Sequence, residues 1–394
     1  FFFFARIQDL KPERGGEAWC TRRFMQGLAT PARRFLRFRA PPLVTSLLVV
    51  SFAQPTYPFS FGGAASGFIR QVRRLPERTR PTCVKPPGMS TPLPETEGAR
   101  IHKADTWDAR MEEATLDSSA DRVHVILDFD RTITAFTGKN GGPSDECHEI
   151  LFRHPKQSDK NLKEVDDFWV RARETFGVMH MKSEEEQKVL FDDWWREANN
   201  LILRHGIEEA HVALAVQRAN TLPRDGALEL MRKCVERDIP VLIVSAGFTQ
   251  VITEFVRQHD PALAASPLLS IHANHMVFDS GGTLAAFGEQ VVHAKNKRFL
   301  YNHIGGYFDK LRAAGRDRPL ILGDSLGDAE VTMHVPHGGG GAGLKIGFAN
   351  KADADIPRFL SVFDAVLTGD QSFAFVDEVL DVLTGAKQGI LNNP

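Results

Sequence analysis

The sequence predicts an α/β fold, a doubly wound, Rossmann-like parallel sheet with a helical cap inserted after its first strand. Three observations predict it. The runs VHVIL (from Val123), VLIVSAGF (from Val241) and PLILGDS (from Pro319) are continuously apolar at their starts, as strands buried on both faces are, and each stops at a polar cluster. Helical segments separate the runs, the alternation that gives a parallel sheet. Between the first and second runs, residues 145–220 hold apolar residues at helical spacing with no strand-like alternation.

The hydrophobic (42%) and charged (25%) fractions of the 394 residues are those of an ordinary globular protein. The net charge of −2 hides an asymmetry. Residues 1–100 carry 16 Lys+Arg against 6 Asp+Glu, leaving 32 against 44 for the rest, so a basic leader precedes an acidic body. An acidic body excludes broad electrostatic binding of nucleic acid. The four cysteines, Cys20, Cys83, Cys147 and Cys234, form no CxxC pair and offer neither a disulfide framework nor a zinc site.

Residues 1–100 read as leader and linker outside the fold. From Ala18 to Pro76 there is no Asp, Glu or Lys but nine Arg, the composition of an organellar transit peptide. Within it the apolar run Leu43–Ala53 is too short to span a bilayer. An α/β core is expected over 101–144 and 221–394, with the cap over 145–220.

In chain order, His102–Leu116 reads as a helix and Val123–Leu127 as the first strand. The cap follows, and its aromatic group Phe191, Trp194 and Trp195 reads as core of the insert. Then come a helix ended by Pro240, the second strand, and the helix TQVITEFVRQH. The run SIHANHMVFDSGGTLAAFG reads as two strands around a turn at Asp279–Gly282. KNKRFLYNHIGGYFDKLRAAG is a helix, followed by the third strand and a short fourth, LKIGFAN. The tract HGGGGAGLK lacks the ending of a P-loop and reads as a loop.

The polar residues fall at the carboxyl ends of the strands: Asp128 and Asp130 after the first, Ser245 after the second, Asp324 and Ser325 after the third. A parallel sheet brings such ends to one crevice, and HAKNK offers Lys295 and Lys297 beside it. A carboxylate can attack a phosphoryl group, provided a cation neutralises the repulsion between the two. Mg²⁺ sits on one or two carboxylates plus phosphate, and Asp128 and Asp324 suit it, with Asp328 as a brace. Asp130 is placed to protonate a leaving alkoxide and then to deprotonate water. Thr132 or Ser245 can hydrogen-bond the phosphoryl oxygens, and a lysine supplies charge against the transferring group. Each fragment alone has a plain structural reading as a turn or a helix cap; their order and shared strand-end setting distinguish the set.

DFDRT, SAG, NK and GDSLGD resemble the four motifs of the haloacid dehalogenase (HAD) superfamily. SAGFTQVITEFVRQ, NHMVF and LKIGF make the chain similar to the cytosolic 5′-nucleotidase III (pyrimidine 5′-nucleotidase) family over roughly residues 120–385. The resemblance implies that Asp128 is the nucleophile and Asp130 the acid/base. Mg²⁺ would be held by the Asp128 side chain, the Asp130 carbonyl and Asp324. Ser245, Ala246 and Gly247 would meet the phosphate, and Lys297, which follows Asn296, would be the motif lysine. It further implies a cytoplasmic enzyme acting on nucleoside 5′-monophosphates, chiefly pyrimidine ones, with 7-methylguanosine monophosphate in one branch; the Arg-rich leader points instead to an organelle, and a monomer is expected although the sequence does not fix the number of subunits. No nucleic acid or membrane partner is expected.

The cap departs from the family. Phe176–Ser183 has no carboxylate where relatives carry one that reads base or sugar, and Ala198 and Asn199 replace an expected serine. Glu174, His180 and Asn199 are the candidates to stand in. Two alternatives follow: the same chemistry on another small phosphomonoester such as phosphoserine or a sugar phosphate, or a non-catalytic binding protein, against which the intact pair Asp128 and Asp130 argues.

Overall fold

A computed structural model describes residues 100–178, 181–289, 291–335 and 343–387. The leader, His180 and most of the Gly-rich tract therefore lie outside the described residues.

The chain begins with strand β1 (Ile101–Lys103) and helix α1 (Trp107–Thr115), followed by β2 (Val123–Leu127). Four helices come next: α2 (Cys147–Phe152), α3 (Asp159–Gly177), α4 (Glu184–Arg204) and α5 (Glu209–Arg218). Then α6 (Ala227–Glu236), β3 (Val241–Phe248), α7 (Thr249–His259), α8 (Pro261–Ala264), β4 (Leu269–Asn274), β5 (Met276–Phe278) and β6 (Leu284–Phe287). The remainder is α9 (Leu300–Ala313), β7 (Arg318–Gly323), β8 (Leu344–Ala349), α10 (Ile356–Leu360), β9 (Ala365–Thr368) and α11 (Ala374–Leu383).

Seven strands form one sheet in the order β1-β9-β8-β7-β2-β3-β4, and every pairing is parallel except β1 with β9. The apolar runs are continuous because both faces are covered. Val123, Val125 and Leu127 face one layer together with Val241, Ile243, Leu320 and Leu322, packed by α1, α6, α7 and α11. Ile126, Leu242, Val244 and Ile321 face the other, against Leu300, Phe308 and Leu311 of α9. This is the doubly wound α/β architecture expected.

Helix starts in the insert follow local capping. Ser183 Oγ accepts the Glu186 N–H (3.3 Å) while Glu186 accepts the Ser183 N–H (2.9 Å), a capping box that starts α4. Ser158 Oγ accepts the Asn161 N–H (3.1 Å) and starts α3.

Three boundaries differ from the sequence reading. The expected helix His102–Leu116 begins only at Trp107, because Ile101–Lys103 pairs with the otherwise open edge of β9. The run from Ser270 divides at His275: Leu269–Asn274 completes the open edge of β3, and the hairpin is β5 with β6 around Asp279–Gly282. The helix after the lysines starts as a 3-10 turn, Lys297–Phe299, before α9. Strand β9, only four residues long, had no sequence signal.

The register positions the polar ends. Leu127 pairs with both Ile243 and Leu322, so Asp128 stands one residue, and Ser245 and Asp324 two residues, beyond a shared rung.

Candidate active site

Asp128 leaves β2 with its N–H donating to the Leu322 carbonyl (2.9 Å), which holds it beside β7. The chain then turns sharply. Arg131 adopts φ +62°, ψ +10°, a left-handed conformation that costs a non-glycine residue free energy and needs surrounding support. Its N–H donates to Thr134 Oγ1 (2.7 Å), and its carbonyl accepts from Arg224 Nη2 (2.6 Å) and Asn350 Nδ2 (3.0 Å). Arg224 also donates to the Thr132 carbonyl (2.9 Å) and pairs with Asp370 (2.8 Å), so one buried guanidinium braces the whole turn.

Lys297, 4% exposed, reaches the same point from the end of its loop. Its Nζ donates to Asp128 Oδ1 (2.6 Å) and to Asp328 Oδ1 (2.5 Å). The second Asp328 oxygen accepts the Ser325 N–H (2.8 Å) and hydroxyl (2.7 Å), fixing the turn after β7. A side chain at Gly323 would fall on the Asp328 carboxylate, so only glycine admits this approach. Asp130 accepts the Cys147 N–H (3.1 Å), and Glu146 pairs with Arg131 (2.9 Å).

Carboxylate oxygens of Asp128, Asp324 and Asp328 all lie within 4.8 Å of one another. Among the described residues Asp130 and Asp324 have no ion-pair partner. Burial, partly offset by Lys297, pushes the Asp128 carboxyl up to about 7. Burial and neighbouring carboxylates raise Asp130 and Asp324 well above the ordinary range. Burial would lower the Lys297 ammonium, but Asp128 and Asp328 hold it above its usual value, so it stays charged. An all-oxygen donor set with this excess of negative charge fits a hard divalent cation, with Asp128 and Asp324 as its carboxylates. Asp328, committed to Lys297 and Ser325, braces the group from behind.

Above these groups opens a cleft walled by Asp128, Asp130, Ser245, Ala246, Lys297 and Asp324. Its roof is His148 of α2, Phe176 of α3, and Phe191 and Trp195 of α4. Trp195 packs edge-on against His148 (4.2 Å between ring centres) and Phe176 against Phe191 (5.4 Å). Burial pushes His148 down to about 3 and keeps it neutral. Among the described residues neither His148 Nε2 nor Trp195 Nε1 has a hydrogen-bond partner. Phe191 and Trp195 are thus both core and cleft wall, where the sequence pattern read them as core alone.

Most of the sequence-selected residues are brought together, with exceptions. Thr132, which follows the left-handed Arg131, is fully buried and off the cleft wall, and among the described residues its Oγ1 has no hydrogen-bond partner. Gly247 donates its N–H to Ser245 Oγ (2.9 Å) and packs against Cys147, so Ser245 and Ala246 form that wall without it. In the cap, Glu174 is exposed and does not line the cleft, while Asn199 is buried beside His148. Sequence reasoning missed Glu146 and His148; the acidic start of DECHEI, a helix N-terminus, is the signal that could have found them.

The chain matches the family model Pyrimidine 5′-nucleotidase (UMPH-1) over residues 131–384. It is 30% identical over 279 residues to the 7-methylguanosine phosphate-specific 5′-nucleotidase of Gallus gallus, covering 71% of this chain and 91% of that protein. The Homo sapiens protein of the same description is 30% identical over 272 residues, covering 69% and 85%. Among solved structures, cytosolic 5′-nucleotidase IIIB bound to cytidine shares the fold, with a TM-score of 0.60 and 22% identity over 72% of this chain and 93% of that one.

Proposed function

The chain belongs to the pyrimidine 5′-nucleotidase (UMPH-1) family and is a HAD-type phosphomonoester hydrolase, and from that premise we propose that it is a Mg²⁺-dependent 5′-nucleotidase acting on nucleoside 5′-monophosphates, pyrimidine ones above all. The observation that carries the reading is the pairing of Lys297 with both Asp128 and Asp328 at the floor of an aromatic-roofed cleft.

In the proposed reaction an Asp128 oxygen attacks phosphorus and the bond from phosphorus to the 5′-oxygen breaks. Asp130 delivers its proton to that leaving oxygen. The raised pKa of Asp130 supports this role, since the carboxyl holds a proton near neutral pH. Asp130, now ionised, takes a proton from water, whose oxygen attacks phosphorus and releases phosphate and the Asp128 carboxylate. Lys297 stays protonated throughout and offsets the charge on the transferring group. Ser245 and the Ala246 backbone bind the phosphoryl oxygens. Mg²⁺ held by Asp128, Asp324 and the Asp130 carbonyl would screen the repulsion between nucleophile and phosphate.

The roof supports a nucleoside: Phe176, Phe191 and Trp195 offer faces on which a base can stack. The relatives are described as 7-methylguanosine phosphate-specific, and the structural neighbour is bound to cytidine, so both bases belong in the test. Turnover of UMP, CMP and 7-methyl-GMP with Mg²⁺ is expected for at least one; phosphate release from none of them defeats the substrate claim. A second reading keeps the mechanism and changes the substrate to a small phosphomonoester. It is favoured by α3 and α4, whose cleft-lining side chains (Phe176, Phe191 and Trp195) include no carboxylate; Glu146, at the start of α2, lines the cleft but pairs with Arg131. The compartment we propose is the cytoplasm, on the strength of the cytosolic neighbour; among the described residues no helix is long and apolar enough to cross a membrane.

A further inference from the structure

The loop from β6 to α9 ends in Lys297 and carries His293 four residues earlier, its side chain fully buried. The Lys295 N–H donates to His293 Nδ1 (3.2 Å), which leaves the ring proton of the neutral imidazole on Nε2. That Nε2 lies 2.8 Å from Asp192 Oδ1, on α4. Phe191, the preceding residue and part of the cleft roof, stacks on the same imidazole at 6.0 Å and 12°. Two adjacent residues of the roof helix therefore grip the lysine-bearing loop, Phe191 by stacking and Asp192 by the polar contact.

The loop itself is tied to the phosphate end of the cleft. His293 N–H donates to Asn296 Oδ1 (2.8 Å), and Asn296 Nδ2 to the Val291 carbonyl (2.7 Å). Asn274 accepts the Val292 N–H (2.8 Å) while its Nδ2 donates to the carbonyls of Val292 (3.0 Å) and Ala246 (2.7 Å). Gly327, in the turn that bears Asp328, packs against the Ala294 carbonyl so closely that no side chain fits there. The loop is thus built as a rigid seat, and what rests on it from above is Asp192.

We infer that the hydrogen bond between His293 and Asp192 is a latch that seats the roof helix α4 on the lysine-bearing loop, making Asp192 a positioning residue for nucleotide binding. The inference rests on reading the cleft as the nucleotide site. Asp192 touches neither the cleft nor the carboxylates, and its side chain is 40% exposed, so its removal leaves the core packed. Its effect reaches substrate only through the roof: with the latch open, a smaller share of molecules presents Phe191 and Trp195 over the phosphate site, and apparent affinity falls by that share.

Steady-state kinetics and hydrogen–deuterium exchange on Asp192→Ala, Asp192→Asn and Asp193→Ala test the inference. Asp193, its neighbour on the same helix, pairs outward with Arg196 (3.0 Å) and serves as the control. Asp192→Ala is expected to raise KM for the nucleotide about tenfold, the scale of one charge-assisted hydrogen bond, and to speed exchange in residues 184–204 and 291–299. The kcat/KM for p-nitrophenyl phosphate, which has no nucleoside for the roof to hold, is expected to stay within about twofold. Asp192→Asn keeps the accepting oxygen and is expected to stay within about threefold of wild-type KM. Unchanged exchange in both segments for Asp192→Ala, or equal effects of Asp192→Ala and Asp193→Ala, overturns the latch. If the wild-type protein hydrolyses no nucleotide, the substrate reading fails, and the exchange comparison still decides the latch.

Discussion

Arg224 Nη2 donates to the main-chain oxygen of Arg131 at 2.6 Å, so a guanidinium with 1% of its side chain exposed supports the left-handed turn between Asp130 and Thr132. The approach of Arg224 to the turn that holds Arg131 is tolerated because each arginine has its own carboxylate, Asp370 for Arg224 and Glu146 for Arg131. Arg224→Lys loses the planar fork that reaches three carbonyls at once. We expect it to lower stability by about 2–4 kcal/mol, read by urea unfolding, and to lower kcat more than it raises KM. An unfolding midpoint equal to wild type would remove the brace from the account.

Asp128→Asn is expected to lower turnover by at least about 10⁴-fold, because a nucleophile acting through a covalent step has no substitute. Lys297→Ala is expected to cost roughly 10²–10³ in kcat, the scale of one charge-stabilising donor. Retained full activity in Asp128→Asn, in a phosphate-release assay, would overturn Asp128 as the nucleophile.

Divalent cation should stabilise the protein, since it relieves the crowding of Asp128, Asp324 and Asp328. Millimolar Mg²⁺ is expected to raise Tm in differential scanning fluorimetry, and EDTA to abolish both the shift and turnover. Asp324→Asn is expected to lose the Mg²⁺ shift while melting no lower than the metal-free wild type, because it removes one of the mutually repelling charges.

His124 on β2 is buried, among the described residues neither of its ring nitrogens has a hydrogen-bond partner, and burial pushes its pKa down to about 4. The folded state therefore binds fewer protons than the unfolded chain between about pH 6.5 and 4. Its contribution is fully present above the unfolded pKa and is lost as pH falls through that window, on the order of 2 kcal/mol by pH 5. His124→Leu is expected to raise the urea midpoint more at pH 5 than at pH 7.5. An equal shift at the two pH values would show that His124 is not the titrating group.

What the sequence made legible was local. VHVIL, VLIV and PLIL announce buried strands by themselves, and Asp128, Ser245 and Asp324 stand one or two residues beyond their runs, so their convergence needs only parallel pairing. Strands β1 and β9 were illegible because segments of three and four residues gain their structure from neighbours in the sheet, β1 from β9 across more than 260 residues and β9 from β8 as well. Thr132 was misplaced because a left-handed Arg131 has no sequence signature; glycine would have marked it. Phe191 and Trp195 show the limit of periodicity. Helical spacing says that they face inward, but not that the interior opens there into a cleft.

The sheet order has a consequence for biosynthesis. Strand β2 is central, yet its neighbour β7 is encoded so late that Val123 pairs with Arg318. During synthesis β2 therefore waits with one flank bare until almost two hundred further residues have been made, a topology of long-range contacts that folds slowly. A nascent or truncated chain ending before β7 leaves an apolar strand edge as its most adhesive feature, and chaperone dependence or aggregation is the fate expected of such fragments.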